Sequence, residues 1–150
     1  AGDLLHRLQN GAILDELDPK VWWIQIGAKD IATDHCSSES LGAISMLIVE
    51  EIKIRRPHAK IVWNSILPPT SGFLDNDDDD DDAWMSIVKT NQLLECYAES
   101  ADDVVFFDAT NLFLVNEGDD SSSLSIASSL EGDRKWGEAI VEKVLKMTAT

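Results

Sequence analysis

The sequence predicts a single α/β domain built on a parallel sheet, and three observations predict it. Short, continuous apolar runs recur at residues 21–26, 60–67 and 104–107. Stretches with apolar residues at helical spacing separate them. Pro19, Gly27, Pro57, Pro68 and Pro69 stand at the ends of the runs. A strand that is apolar on both faces suits a parallel sheet, because helices cover each side of it.

In chain order, Leu4, Leu5 and Leu8 ahead of Gly11 describe a short helix with a glycine at its end. The run Val21-Trp22-Trp23-Ile24-Gln25-Ile26 is rich in β-branched and aromatic residues and too short for a helix, so it reads as a buried strand. Ser37 and Ser38 offer caps for a second helix carrying Leu41, Ile44, Leu47, Ile48 and Ile52, with Arg55 and Arg56 in its last turn and Pro57 beyond. The second strand, 60–67, stops at Pro68-Pro69, since proline cannot donate to a ladder. A third helix is expected from about Trp84, with Ile87, Val88, Asn91, Leu94, Tyr97 and Ala98 on one side; a third strand follows at 104–107. Residues 116–129 are polar and serine-rich and read as a flexible loop open to phosphorylation. The last helix starts near Arg134 and carries Trp136, Ile140, Val144 and Met147. Trp22, Trp23, Trp63 and Trp136 are expected in the core, while Trp84 is left between core and cleft rim.

At 150 residues and 44% hydrophobic content the chain can bury one core. Its formal charge of −16 is extreme, and seven of those charges belong to Asp75 and the run 77–82. Stretch 75–82 therefore reads as a self-repelling, disordered acidic loop inserted into the domain; it lacks the glycine and ligand spacing of a calcium loop. An acidic surface repels phosphate backbones and anionic headgroups, which argues against nucleic-acid or membrane-surface binding and leaves small neutral or cationic ligands open. No apolar run reaches the roughly 18 residues that span a bilayer, and no leader precedes the domain, which favours a cytoplasmic chain. The first residue is Ala1, so the true N-terminus is expected to lie upstream. Cys36 and Cys96 have no company suited to a zinc site and read as reduced thiols.

In open parallel sheets ligands bind beyond the carboxyl ends of the strands. The loops there are 27–36, 68–82 and 108–132. The succession Gly2-Asp3, Arg7-Leu8-Gln9-Asn10-Gly11, Gly27-Ala28-Lys29-Asp30, Arg56-Pro57-His58-Ala59-Lys60-Ile61-Val62, Ile66-Leu67-Pro68 and Glu131-Gly132-Asp133-Arg134-Lys135-Trp136-Gly137 resembles the SGNH (GDSL) hydrolase family. Within it the chain looks most like the branch of the platelet-activating-factor acetylhydrolase catalytic subunits. The resemblance covers nearly the whole chain. It implies a three-layer α/β/α, flavodoxin-like sheet lacking its first strand or strands here, and a metal-free, cofactor-free ester hydrolase that forms a homo- or heterodimer.

Carried over position by position, the resemblance places the oxyanion-hole glycine at Gly2 and the oxyanion-hole asparagine at Lys29. The family's aspartate and histidine positions fall on Leu124 and Ala127, and no Gly-Asp-Ser turn is present. Lysine lacks the fixed amide geometry that makes such a donor effective, and neither leucine nor alanine accepts a proton. His35 is the one histidine near the expected site; His6 and His58 read as surface residues. Asp30 is expected to shape its loop rather than to take part in chemistry. The expectation is an esterase-like domain impaired in catalysis, with no catalytic residue of its own and with a small ester or acyl-like ligand as its partner. The alternative is a ligand-binding or partner module that performs no reaction.

Overall fold

The computed structural model describes residues 1–11, 18–67, 78–116, 124–126 and 130–149, without the side chains of 78–81, 114–116, 124–126 and 130. Its elements run α1 (Gly2–Gln9), β1 (Val21–Ile24), α2 (Ala28–Ala32), α3 (Ser38–Arg55), β2 (Lys60–Asn64), α4 (Asp78–Ser100), β3 (Val104–Phe107), α5 (Thr110–Phe113), β4 (Leu114–Asn116), β5 (Leu124–Ile126) and α6 (Leu130–Thr148). The three apolar runs form one parallel sheet in the order β1-β2-β3, with Trp23 opposite Val62 and Val62 opposite Val105. The α/β fold class is as the sequence predicts.

Register sorts the side chains by face, because neighbours across a ladder point the same way and successive residues alternate. Trp22, Ile24, Ile61, Trp63, Val104 and Phe106 share one face. That face packs on α1, α3 and α4 through Leu8, Leu41, Ile48, Ile52, Ile87 and Leu94. The other face carries Trp23, Val62, Asn64, Val105 and Phe107 and meets α6. There Trp136 Nε1 donates to Asn64 Oδ1 at 2.9 Å, and Lys60 Nζ donates to the Met147 carbonyl at 2.7 Å. Trp23 and Phe107 pack together on it at a tilt, with ring centroids 5.1 Å apart.

Helix α3 starts where the serines suggest: Ser37 Oγ accepts from Ser40 N at 3.2 Å, satisfying an end group that the helix itself cannot pair. Leu41, Ile48 and Ile52 are fully buried as the spacing predicts, but Leu47 of the same series is exposed.

The structure corrects several expectations. Strand β2 ends at Asn64, and Ser65, Ile66 and Leu67 leave the ladder; Ile66 is apolar because it is packed in a loop, not because it is in a strand. Trp63 is buried, but Trp22 and Trp23 are only half-buried, since β1 is an edge of the described sheet and each indole has a strand neighbour on one side alone. The expected loop at 27–36 contains helix α2. Helix α4 begins at Asp78, ahead of Trp84, so the backbone of 78–82 is helical; acidic residues suit the positive end of a helix dipole, a factor that apolar spacing ignores. Asp75 and Asp77 lie outside the described residues. The polar region 116–129 supplies β5, which pairs antiparallel with β4 through Asn116 and Leu124. Helix α6 starts at Leu130 rather than Arg134. Among the described residues no helix is long and apolar enough to cross a membrane.

Candidate functional site at the carboxyl edge of the sheet

Three loops meet beyond the carboxyl ends of the parallel strands: 25–28 after β1, 65–67 after β2 and 108–109 after β3. The first turns at Gly27, whose φ of 114° is a conformation that side chains resist. A Cβ added there would stand 2.7 Å from Ile66 Cδ1 and 3.0 Å from Leu41 Cδ2. Glycine is therefore required twice over, by backbone angle and by space. This close approach seats the start of α2 against the loop after β2.

The second loop is tied from three directions. Asn91 of α4 accepts from Ile66 N at 2.8 Å through Oδ1 and donates to the Ile66 carbonyl at 3.0 Å through Nδ2. Ser65 N donates to the Phe107 carbonyl at 2.9 Å, and Ser65 Oγ accepts from Ala109 N at 3.0 Å. Asn64 Nδ2 donates to the Ser65 carbonyl at 2.9 Å while its Oδ1 receives the Trp136 indole. Asn64 and Ser65 are both fully buried. In the third loop Asp108 Oδ1 accepts from Thr110 N at 2.9 Å, opening α5. Between the first two loops lies a cavity of about 170 Å³ lined by Gln25, Ile26, Ala28, Ile66 and Leu67.

Of the residues singled out from sequence, Gly2, Lys29 and Asp30 are brought together. Gly2 is the exposed first residue of α1 with open space around its Cα, and Lys29 is exposed on α2. The amino group of Ala1, next to Gly2, donates to Asp30 Oδ1 at 2.5 Å. His35 follows α2, exposed, with φ of 48°. His6 is exposed on α1, near Asn10, and His58 is exposed at the amino end of β2, the opposite end of the sheet. Leu124 opens β5, where its backbone pairs with Asn116; Ala127 lies outside the described residues, as do Ser121, Ser122, Ser123, Ser128 and Ser129.

Sequence reasoning missed Asn64, Ser65 and Asn91. A signal existed for each. Asn64-Ser65 is the one polar pair inside the apolar run 60–67, and Asn91 sits among the apolar residues of the α4 stripe. A polar group in a buried position must find a partner. Among the described residues no group of three or more His, Cys, Asp or Glu side chains is placed to hold a metal ion.

No protein-family model matches the chain, and no curated protein matches its sequence. Its shape does match solved structures. One is a carbohydrate esterase of family 3 from Talaromyces cellulolyticus, with a TM-score of 0.68 and 16% identity, covering 98% of this chain and 69% of that one. Another is an acetyl esterase solved with an acetate ion, with a TM-score of 0.67 and 16% identity, covering 96% of this chain and 67% of that one. Identity this low speaks to architecture alone: the chain shares its α/β fold with these two esterases.

Proposed function

We propose that this chain is an SGNH-type, esterase-like domain that does not carry out acyl transfer by serine, histidine and acid. The observation that supports this most is how the polar side chains at the carboxyl edge are used. Acyl transfer needs a nucleophile within about 2.6–3.2 Å of a base that a third group orients. Ser65, the buried serine there, accepts a backbone N–H and forms no bond with a histidine among the described residues. Asp108 accepts from the Thr110 backbone nitrogen. His35, which follows α2, makes no side-chain bond among the described residues. Leu124 and Ala127 at the family's acid and base positions point the same way, as does Lys29 in place of an oxyanion-hole amide. Kinship within the fold to the platelet-activating-factor acetylhydrolase subunits rests on the sequence succession alone.

The test is hydrolysis of p-nitrophenyl acetate by the purified chain. The expected result is a rate no greater than that of buffer. Hydrolysis abolished by one identifiable substitution would overturn the proposal.

The cavity between Ile26 and Ile66 favours a second reading, a module that holds a small ester or acyl-like group without cleaving it. Its volume of about 170 Å³ is well below the ~300–1,000 Å³ of sites for drug-sized ligands, so only a short acyl group fits. Chemical shifts confined to Gln25, Ile26, Ala28, Ile66 and Leu67 on addition of a short-chain ester support this reading. Shifts spread over the surface, or none, refute it.

A further inference from the structure

The opposite end of the sheet carries a second cavity. It measures about 190 Å³ and is lined by Asp18, Pro19 and Lys20 ahead of β1, by Arg55 at the end of α3, and by Arg56, Pro57, His58 and Ala59 between α3 and β2. In a chain of net charge −16 with 12 lysines and arginines, three of those cations and one of three histidines surround this one hollow. We propose that it binds a small phosphate-type oxyanion.

Three features carry the inference. First, the hollow already takes an oxyanion from its own chain. Asp18, whose side chain is 87% exposed, places Oδ1 3.0 Å from Arg56 Nε, so an exposed carboxylate with solvent all round it occupies the guanidinium edge. Second, the arginines are held in place from behind. Arg55 Nε donates to Glu51 Oε1 at 2.7 Å and its Nη2 to the Gln9 carbonyl at 2.7 Å, while Arg56 Nη1 donates to the Arg55 carbonyl at 3.0 Å. Planar guanidinium groups fixed in this way suit oxyanions, which accept several hydrogen bonds at once. Third, Lys20 and His58 flank the same hollow, exposed and with no side-chain bond among the described residues.

The ordinary reason for cations here is only partial. Basic residues in the last turn of a helix offset the negative end of its dipole, which accounts for Arg55 at the end of α3. It does not account for Lys20 or His58, which come from separate loops and converge on the same space. A phosphate group has oxygens enough to meet Arg56, Lys20 and His58 together in place of Asp18. A single carboxylate has fewer.

Isothermal titration of the purified chain with inorganic phosphate, at constant ionic strength, tests this, with acetate as the comparison ligand. The expected result is saturable phosphate binding that K20A and H58A each weaken by about fivefold, the upper end of what an exposed charge pair contributes. D18N, which removes the competing carboxylate, tightens it by a similar factor. Acetate binds more weakly than phosphate throughout. Absence of saturation in the native chain overturns the proposal. So does binding that K20A and H58A leave unchanged, that D18N fails to strengthen, or that acetate matches.

Discussion

Replacing Gly27 with alanine tests the geometry of the carboxyl edge at its tightest point. Two costs are worked from the structure. A non-glycine residue at φ of 114° sits in a sparsely populated region, which costs about 1–3 kcal/mol. The new Cβ also stands 2.7 Å from Ile66 Cδ1 and 3.0 Å from Leu41 Cδ2. Both neighbours are packed, at 2% and 0% exposure, so neither can swing aside freely, and overpacking of this kind costs about 1–3 kcal/mol more. The expected loss is therefore at least about 2 kcal/mol, visible as a lower urea midpoint at unchanged slope, or as a melting temperature lowered by roughly 4 °C or more. The cause is separable. Ile66→Val removes the Cδ1 atom and by itself costs about 0.5–1.5 kcal/mol. In that background Gly27→Ala should cost less than it does alone, by the share due to the clash. A G27A protein within about 0.5 kcal/mol of the parent would show that the turn is neither strained nor crowded. Equal cost in the two backgrounds would put the whole effect on the backbone angle.

Two further predictions concern α6. Trp136→Phe leaves Asn64 Oδ1 buried without its donor, which should cost about 1–3 kcal/mol in urea denaturation. Pairing it with Asn64→Leu should recover part of that loss, and a double variant as damaged as the sum of the singles would count against the bond. The acid limb of stability should also fall on α6. The hydrogen bond from Arg134 holds the Glu131 carboxyl below the usual carboxylate range, the one from Lys146 does the same for Glu142, and at the start of α3 a backbone hydrogen bond together with the Ser37 and Ser38 hydroxyls lowers Glu39. A carboxylate depressed in the folded state stabilises fully above its unfolded value of about 4.3, and the contribution is lost as pH falls through the folded values. All three are exposed, so the effect is small and screened by salt. Far-UV circular dichroism should show helix content declining in that acid window and less so at high salt; a decline that begins near neutrality would contradict the assignment.

The framework of the fold was open to reading because it rests on signals local to the sequence. Apolar runs too short for helices gave β1, β2 and β3, and Ser37 fixed the start of α3. What escaped depends on neighbours far along the chain. Trp22 and Trp63 look alike in sequence, yet one lies on an edge strand and the other between two strands. The short elements α2, α5, β4 and β5 carry too few residues for any periodicity. At the candidate site Gly27 and Asp30 announce themselves by type and position. Asn64, Ser65 and Asn91 show only as polar residues in apolar company, because their partners, Trp136, Ala109 and Ile66, lie from 25 to 72 residues away.

The amide of Asn91 presents a donor and an acceptor with the spacing of a peptide group, and Ile66 is bonded to it as though a further strand lay alongside. A helix thus performs one rung of a ladder. The placement of α4 and the placement of Ile66 become a single variable: the helix cannot slide along its axis without dragging the wall of the cavity and the contact that holds Gly27. The edge of the sheet that carries the cavity is thus positioned in part by a helix that belongs to a different layer.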